Sequence, residues 1–329
     1  MHSVDFIGPA IWDTYVRAER IPEENSRVEV FPAGSGIGGP AVEAGLAYLA
    51  CGGKGRLIPI AGTDEYAERM GSDVAGRGIP WQPIRVPGSS NASYVIVTPN
   101  GARTILVSRS ASRNADPGRV ISRLEGQRGL GTMVHLDSVS PKFSMAIAEF
   151  YREHGASVSL DLFGEPSDDT LHLAAMADII GTEEGFAAHW PSLDGFIDEW
   201  LGNGARVVVV TLGERGSVVA TVKDSLRLVQ AIPAERVEGI LDTTGAGDVF
   251  HGAFLYAYRH RGMSLELAAR WASRAVVPVL QGYGAWHALD VLREWGDGGI
   301  RESVKNESRI ENRKAGRDLY PGNRRKDEK

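Results

Sequence analysis

The chain has 329 residues, 43% hydrophobic and 24% charged, with a net charge of −6; this globular composition suits one large domain with an elaboration, or two small ones, and excludes a disordered or fibrous body. A single cysteine, Cys51, excludes an internal disulfide framework and a cysteine-based metal cluster. No run of eighteen apolar residues and no basic, then apolar leader is visible, which predicts a soluble cytoplasmic protein.

Val4–Gly8 reads as the first strand, and short apolar runs recur at Arg56–Ile60, Thr132–Leu136, Ser157–Leu162, Ala177–Ile180 and Arg206–Leu212. Helical periodicity lies between most of them, at Pro40–Ala50, Ser144–His154, Gly185–His189 with Asp194–Leu201, Asp248–Arg259 and Ser264–Val277. Such alternation predicts an α/β fold, a three-layer sandwich around a mostly parallel sheet.

Tyr15–Val30 and Ile84–Ser108 break the pattern with β-type alternation, the second around the turn Pro99-Asn100-Gly101. They predict hairpins outside the main sheet that cover its strand ends as a lid, in segments of about 14–32 and 84–108. Their exposed edges and apolar faces predict a homodimer formed through the lid. Residues 1–297 are read as one domain and 298–329 as a charged, flexible tail. From Arg301 to Lys329 there are ten basic and six acidic residues, so the tail carries +4 and the body −10. Mixed signs and one aromatic, Tyr320, argue against nucleic-acid or membrane partners.

The sharpest local signal is Asp242-Thr243-Thr244-Gly245-Ala246-Gly247-Asp248, read as a loop between a strand at Arg236–Leu241 and an amphipathic helix. Backbone N–H groups at such a helix start stabilise phosphate or developing phosphoryl charge. A carboxylate in the first turn, Asp248, is placed to accept a hydroxyl proton as that oxygen attacks phosphorus. The competing Gly-x-Gly-x-x-Gly spacing at Gly34-Ser35-Gly36-Ile37-Gly38-Gly39 suggests a nicotinamide-dependent oxidoreductase. It arrives some twenty-five residues after the first strand, however, and no ribose-binding acid follows it.

The Asp242–Asp248 segment resembles the second signature of the PfkB, or ribokinase-like, carbohydrate kinases, and Gly38-Gly39-Pro40-Ala41 through Gly52-Gly53 resembles the first. The resemblance covers most of residues 4–290. It implies an ATP- and Mg²⁺-dependent kinase of a sugar-like hydroxyl, with Asp248 as catalytic base and the backbone of Gly245, Ala246 and Gly247 as anion hole. It implies substrate contacts from Asp13, Gly38, Gly39, Glu43 and Asp137, and a nucleotide side built from Thr211, Gly213, Gly216 and Gly247. Asp242 and the Thr244 carbonyl match positions for a monovalent cation, which the resemblance implies is K⁺, and Glu184 matches a residue that holds Mg²⁺ through water.

Two departures stand out. Gly181 occupies the place where the family's Asn-x-x-Glu pattern has Asn, and Glu43 stands where Asn is common. The wording around Asp248 looks closest to a subgroup that includes sulfofructose kinase, yet the acids Asp13, Glu43 and Asp137 predict a neutral or amine-bearing substrate rather than an anionic one. The lid arginines Arg17, Arg20, Arg27, Arg85 and Arg103 are expected mostly to face solvent. A nucleoside kinase of the same fold and a non-catalytic nucleotide- or sugar-binding protein remain as alternatives.

Overall fold

Apolar strands that are buried on both faces need helices above and below them, and the computed structural model, which describes residues 3–99, 103–126 and 129–296, has that layering. The main sheet contains β1 (Val4–Pro9), β4 (Gly55–Ala61), β5 (Ile84–Arg85), β8 (Met133–Asp137), β9 (Ser157–Leu162), β10 (Ile179–Glu183), β11 (Val207–Thr211), β12 (Ser217–Lys223) and β13 (Leu226–Ile232). Their order is β13-β12-β11-β10-β9-β8-β1-β4-β5. All neighbours from β11 to β5 run parallel, and β12 and β13 add an antiparallel hairpin at one edge.

A second sheet, in the order β3-β2-β6-β7, is formed by β2 (Ile11–Ala18), β3 (Val30–Gly38), β6 (Asn91–Val97) and β7 (Arg103–Ser108). One face of the main sheet carries α1 (Pro40–Ala50), α2 (Glu65–Gly76), α9 (Ala246–Leu255), α10 (Leu265–Leu280) and α11 (Leu289–Glu294). The other carries α4 (Pro117–Glu125), α5 (Pro141–Glu153), α6 (Asp168–Ala174), α7 (Glu184–Ala187) and α8 (Leu193–Gly202), with the short α3 (Ser110–Arg113) nearby. The separate small sheet agrees with the expectation from the two β-rich insertions.

Small residues set the spacing that matters most for function. A Cβ at position 252 would stand 2.1 Å from the Ala44 carbonyl oxygen, so Gly252 lets α9 lie directly on α1. That contact brings Glu43 of α1 beside the start of α9.

Several expectations are corrected. Arg236–Leu241 forms no strand; its β-type residues have no neighbouring strand to pair with, and Ile240 and Leu241 are exposed. Ile84–Arg85 joins the main sheet rather than the smaller one. The first insertion starts earlier, at Ile11, and residues 19–29 form a long loop between β2 and β3. The glycines from Gly34 to Gly39 lie along β3 and at its end rather than between β1 and a helix, which removes the dinucleotide-loop geometry. Among the described residues no helix is long and apolar enough to cross a membrane. The expected tail at 298–329 lies outside the described residues.

Candidate active site

Gly245 stands at the turn that launches α9, with φ +75°, a left-handed conformation that glycine adopts without strain. The loop before it is pinned by Asp242. Its Oδ1 accepts from the Thr244 N–H at 3.0 Å and the Thr244 hydroxyl at 2.7 Å, and its Oδ2 accepts from the Gly284 N–H at 3.1 Å. No side chain caps α9, so the first-turn N–H donors of Gly247 and Asp248 are left for an anion.

Asp248 is flanked on both sides. The Glu43 carboxyl approaches it from α1 and the Asp161 carboxyl of β9 from the sheet. His251, one turn further along α9, places Nδ1 3.0 Å from Asp161 Oδ2, with both residues buried. Burial pushes the Asp248 carboxyl up to about 7 and the Asp161 charge adds to this, while the Glu43 hydrogen bond and the His251 charge act the other way. For His251, burial disfavours the imidazolium, but the Asp161 and Asp248 carboxylates outweigh it and raise its pKa.

Asp13 enters from β2. Its side chain is 7% exposed, and the Ser93 hydroxyl of the neighbouring β6 donates to its Oδ1. Burial pushes Asp13 up to about 7; the Ser93 hydrogen bond opposes this and the Asp242 charge reinforces it. A Cβ at position 38 would stand 1.9 Å from Asp13 Oδ2, so Gly38 is what gives this carboxylate its place. Beside it, Tyr15 packs edge-on against Trp286 at 5.4 Å between ring centres, and the indole lies over Gly36. Thus Asp13, Gly38, Gly39, Glu43, Gly245 and Asp248 converge where β2, β3, α1 and α9 meet.

Arg103 is an exception to the expectation that the lid arginines mostly face solvent. From β7 its Nη1 reaches Thr243 Oγ1 at 2.8 Å and Thr244 Oγ1 at 3.1 Å, and lies 3.9 Å from Asp242 Oδ1. The small sheet is therefore tied to the loop that launches α9 by a half-exposed guanidinium.

Three other expected site residues are placed as follows. Asp137 closes β8, but its Oδ2 accepts from the Ala41 N–H at 3.2 Å and its Oδ1 from the Val139 N–H at 3.0 Å. With both oxygens on backbone donors it braces the start of α1, and a substrate hydroxyl would have to share one of those oxygens. Gly181 sits inside β10, paired with Asp161 and Val209, rather than at the strand's mouth, where Glu183 stands. Asp242 accepts hydrogen bonds on both oxygens with the Arg103 charge close by, so a monovalent cation at Asp242 and the Thr244 carbonyl would share an oxygen that already holds the loop.

At the opposite end of the site, Thr211 closes β11 and donates to the Thr182 carbonyl at 3.3 Å. Gly213 and Gly216 shape the turn into β12, and a Cβ at Gly216 would meet the Ile232 carbonyl oxygen at 2.0 Å. Glu184, at the start of α7, is half-exposed and ion-paired with Arg215. It fits a water-held divalent ion only by exchanging that partner.

Sequence reasoning missed Asp161, His251, Ser93 and Tyr15 as members of this cluster. Only His251 had a visible cue, its position one helical turn after Asp248.

The sequence model of pfkB family carbohydrate kinases matches residues 1–290. The chain belongs to that family. Its similarity extends to a ribokinase of Arabidopsis thaliana, 27% identical over 85% of this chain and 76% of the relative, and to an ATP-dependent ribose-1-phosphate kinase of Halopiger xanaduensis, 26% identical over 81% and 88%. A nucleoside kinase of Methanothermobacter thermautotrophicus is 25% identical over 84% and 89%. In fold, the chain superimposes on a ribokinase from Giardia lamblia with a TM-score of 0.75 at 18% identity, covering 92% of this chain and all of the other. As a pfkB kinase it is a phosphotransferase with an alcohol group as acceptor, acting on a sugar or nucleoside; kinases of this family use ATP and Mg²⁺.

Proposed function

We propose that the protein transfers the γ-phosphoryl group of ATP to a primary hydroxyl of a neutral or amine-bearing sugar-like molecule, with Asp248 as general base. The observation that carries this reading is the meeting of Asp248, the uncapped start of α9 and Asp13 at one place beneath the small sheet. The Asp248 carboxylate takes the hydroxyl proton as the oxygen attacks, and the backbone at Gly245, Ala246 and Gly247 stabilises the charge on the phosphoryl oxygens.

Asp13 and the backbone of Gly38 and Gly39 orient substrate hydroxyls, while Thr211, Gly213 and Gly216 let backbone approach the nucleotide. Mg²⁺, when bound through water at Glu184, neutralises charge between the phosphates. A K⁺ site at Asp242 and Thr244 is not supported by their present bonding, so no step is routed through it. The concentration of buried acids speaks against a sulfonated or phosphorylated substrate. The nucleoside kinase relative keeps a nucleoside as second reading.

The exposed apolar side chains Val30, Phe31, Leu106 and Val107 on β3 and β7 support a lid-mediated homodimer; light scattering at micromolar concentration tests it, and a monomer refutes it. The substrate reading is tested by incubating the purified chain and ATP with neutral sugars, amino sugars, nucleosides, sugar acids, sugar phosphates and sulfosugars. Preference for a neutral or amine-bearing compound is expected, and preference for an anionic sugar overturns the charge argument.

A further inference from the structure

We propose that Glu43 carries a proton in the resting enzyme and directs it as a hydrogen bond to Asp248, so that the two carboxyl groups hold one negative charge and Glu43 acts as a positioning residue for the base. This rests on the reading of Asp248 as the group that accepts the substrate proton.

The geometry starts with enclosure. Glu43 is 4% exposed on α1, and its Oε1 has no hydrogen-bond partner. Its Oε2 lies 2.6 Å from the point where a Cβ on Gly245 would stand, so the carboxyl presses against the loop where phosphoryl charge would develop. An ionised Glu43 there would oppose that charge; a protonated one would not.

The titratable groups facing it agree. Asp248 comes from α9, Asp13 and Tyr15 from β2, and Asp242 from the loop before α9; the charges that act most on Glu43, those of Asp248, Asp13 and Asp242, are all negative. Asp161 of β9 and His251 of α9 lie on the far side of Asp248, where the imidazole is 3.0 Å from Asp161. The guanidinium of Arg103 on β7 is held by Thr243 and Thr244. Burial is the largest influence raising Glu43, and only carboxylate charges act on it, whereas the His251 charge acts on Asp248 and favours its ionised form, so the shared proton is placed on Glu43.

Asp248 then accepts from Glu43 and stays ionised to take the substrate proton. During transfer the substrate O–H breaks and its proton passes to Asp248, the new O–P bond forms, and the bridging O–P bond of ATP breaks with its electron pair on ADP. Glu43 keeps its proton throughout, and Asp248 releases the acquired one to solvent after the product leaves.

The test uses the full chain without substrate. Infrared spectra in D₂O near neutral to mildly alkaline pH, taken as wild type minus Glu43→Gln, are expected to show a protonated-carboxyl band that the variant lacks. Carbon-detected NMR of the wild type labelled at glutamate Cδ is expected to show one glutamate still protonated there, and it needs no variant to fold. Neither result depends on finding the substrate, so failure of the kinase reading and failure of this proposal are separable. In turnover, Glu43→Gln, whose amide can also donate to Asp248, is expected to retain more of kcat than Glu43→Ala, which cannot. Absence of the infrared band and of the protonated glutamate signal, or a rise in KM of about tenfold with kcat unchanged, overturns the proposal in favour of an ionised, substrate-binding Glu43.

Discussion

His251 fills the space that a side chain at position 181 would need: a Cβ on Gly181 would stand 2.7 Å from both Cε1 and Nε2 of the imidazole. The glycine in β10 and the histidine in α9 thus form one packing unit, and the absence of a larger residue at 181 follows from the presence of a ring at 251. Gly181→Ala is expected to destabilise the protein by about 1–3 kcal/mol through overpacking. Gly181→Ala combined with His251→Ala should recover part of that loss, and a double-mutant cycle from urea unfolding measures the coupling.

The same histidine should set the acid limit of activity. Asp248, raised to about 7 mainly by burial, must be ionised to act as the proposed base, so kcat/KM should fall as pH drops through that value. The His251 charge lowers the Asp248 pKa, and its removal in His251→Asn should move the acid limb to higher pH. A limb that stays in place would remove His251 from this role.

Stability should run against activity along the pH axis. Asp13 and Asp137, whose carboxyls would ordinarily titrate near 3.8, are both raised to about 7 mainly by burial. Groups raised on folding contribute stability that is present below the unfolded pKa and lost as pH rises through the folded one. Buried His135, lowered to about 4 by burial, pulls the other way as pH falls, but it is one group against several carboxyls. Tm is therefore expected to be higher near pH 5.5 than near pH 8, values that bracket the raised pKa. Asp13→Asn should raise Tm at the upper pH while impairing substrate binding.

Much of the parallel framework was legible because buried strands and small-residue helices leave continuous patterns: Pro40–Ala50 and Ser157–Leu162 coincide with α1 and β9 to the residue. The hairpin of β12 and β13 was not, since β13 is exposed along nearly its whole length and has no alternation to read. Of the site, Asp13, Gly38, Gly39, Glu43 and Asp248 do come together. The pairing of Asp161 with His251 could not be read, because ninety positions of chain separate residues that only the layering of β9 under α9 brings into contact.

Arg103 should govern how tightly the small sheet is held. Its bonds to Thr243 and Thr244 are half-exposed, so Arg103→Ala is expected to change overall stability by less than about 1 kcal/mol. Hydrogen exchange should nevertheless become faster in β7 and in residues 242–245. If a monovalent cation has no place beside Asp242, replacing KCl with choline chloride should leave wild-type turnover unchanged, and a strong K⁺ requirement would show that the Asp242 loop rearranges.

The most direct test of the account is the single-turnover rate of Asp248→Asn with ATP and the best acceptor from the substrate panel, on protein whose Tm shows that it is folded. A general base of this kind contributes about a hundredfold or more, so a drop of at least that size with little change in acceptor affinity is predicted. A loss of less than about tenfold, smaller than any such base supplies, would contradict the assignment of Asp248.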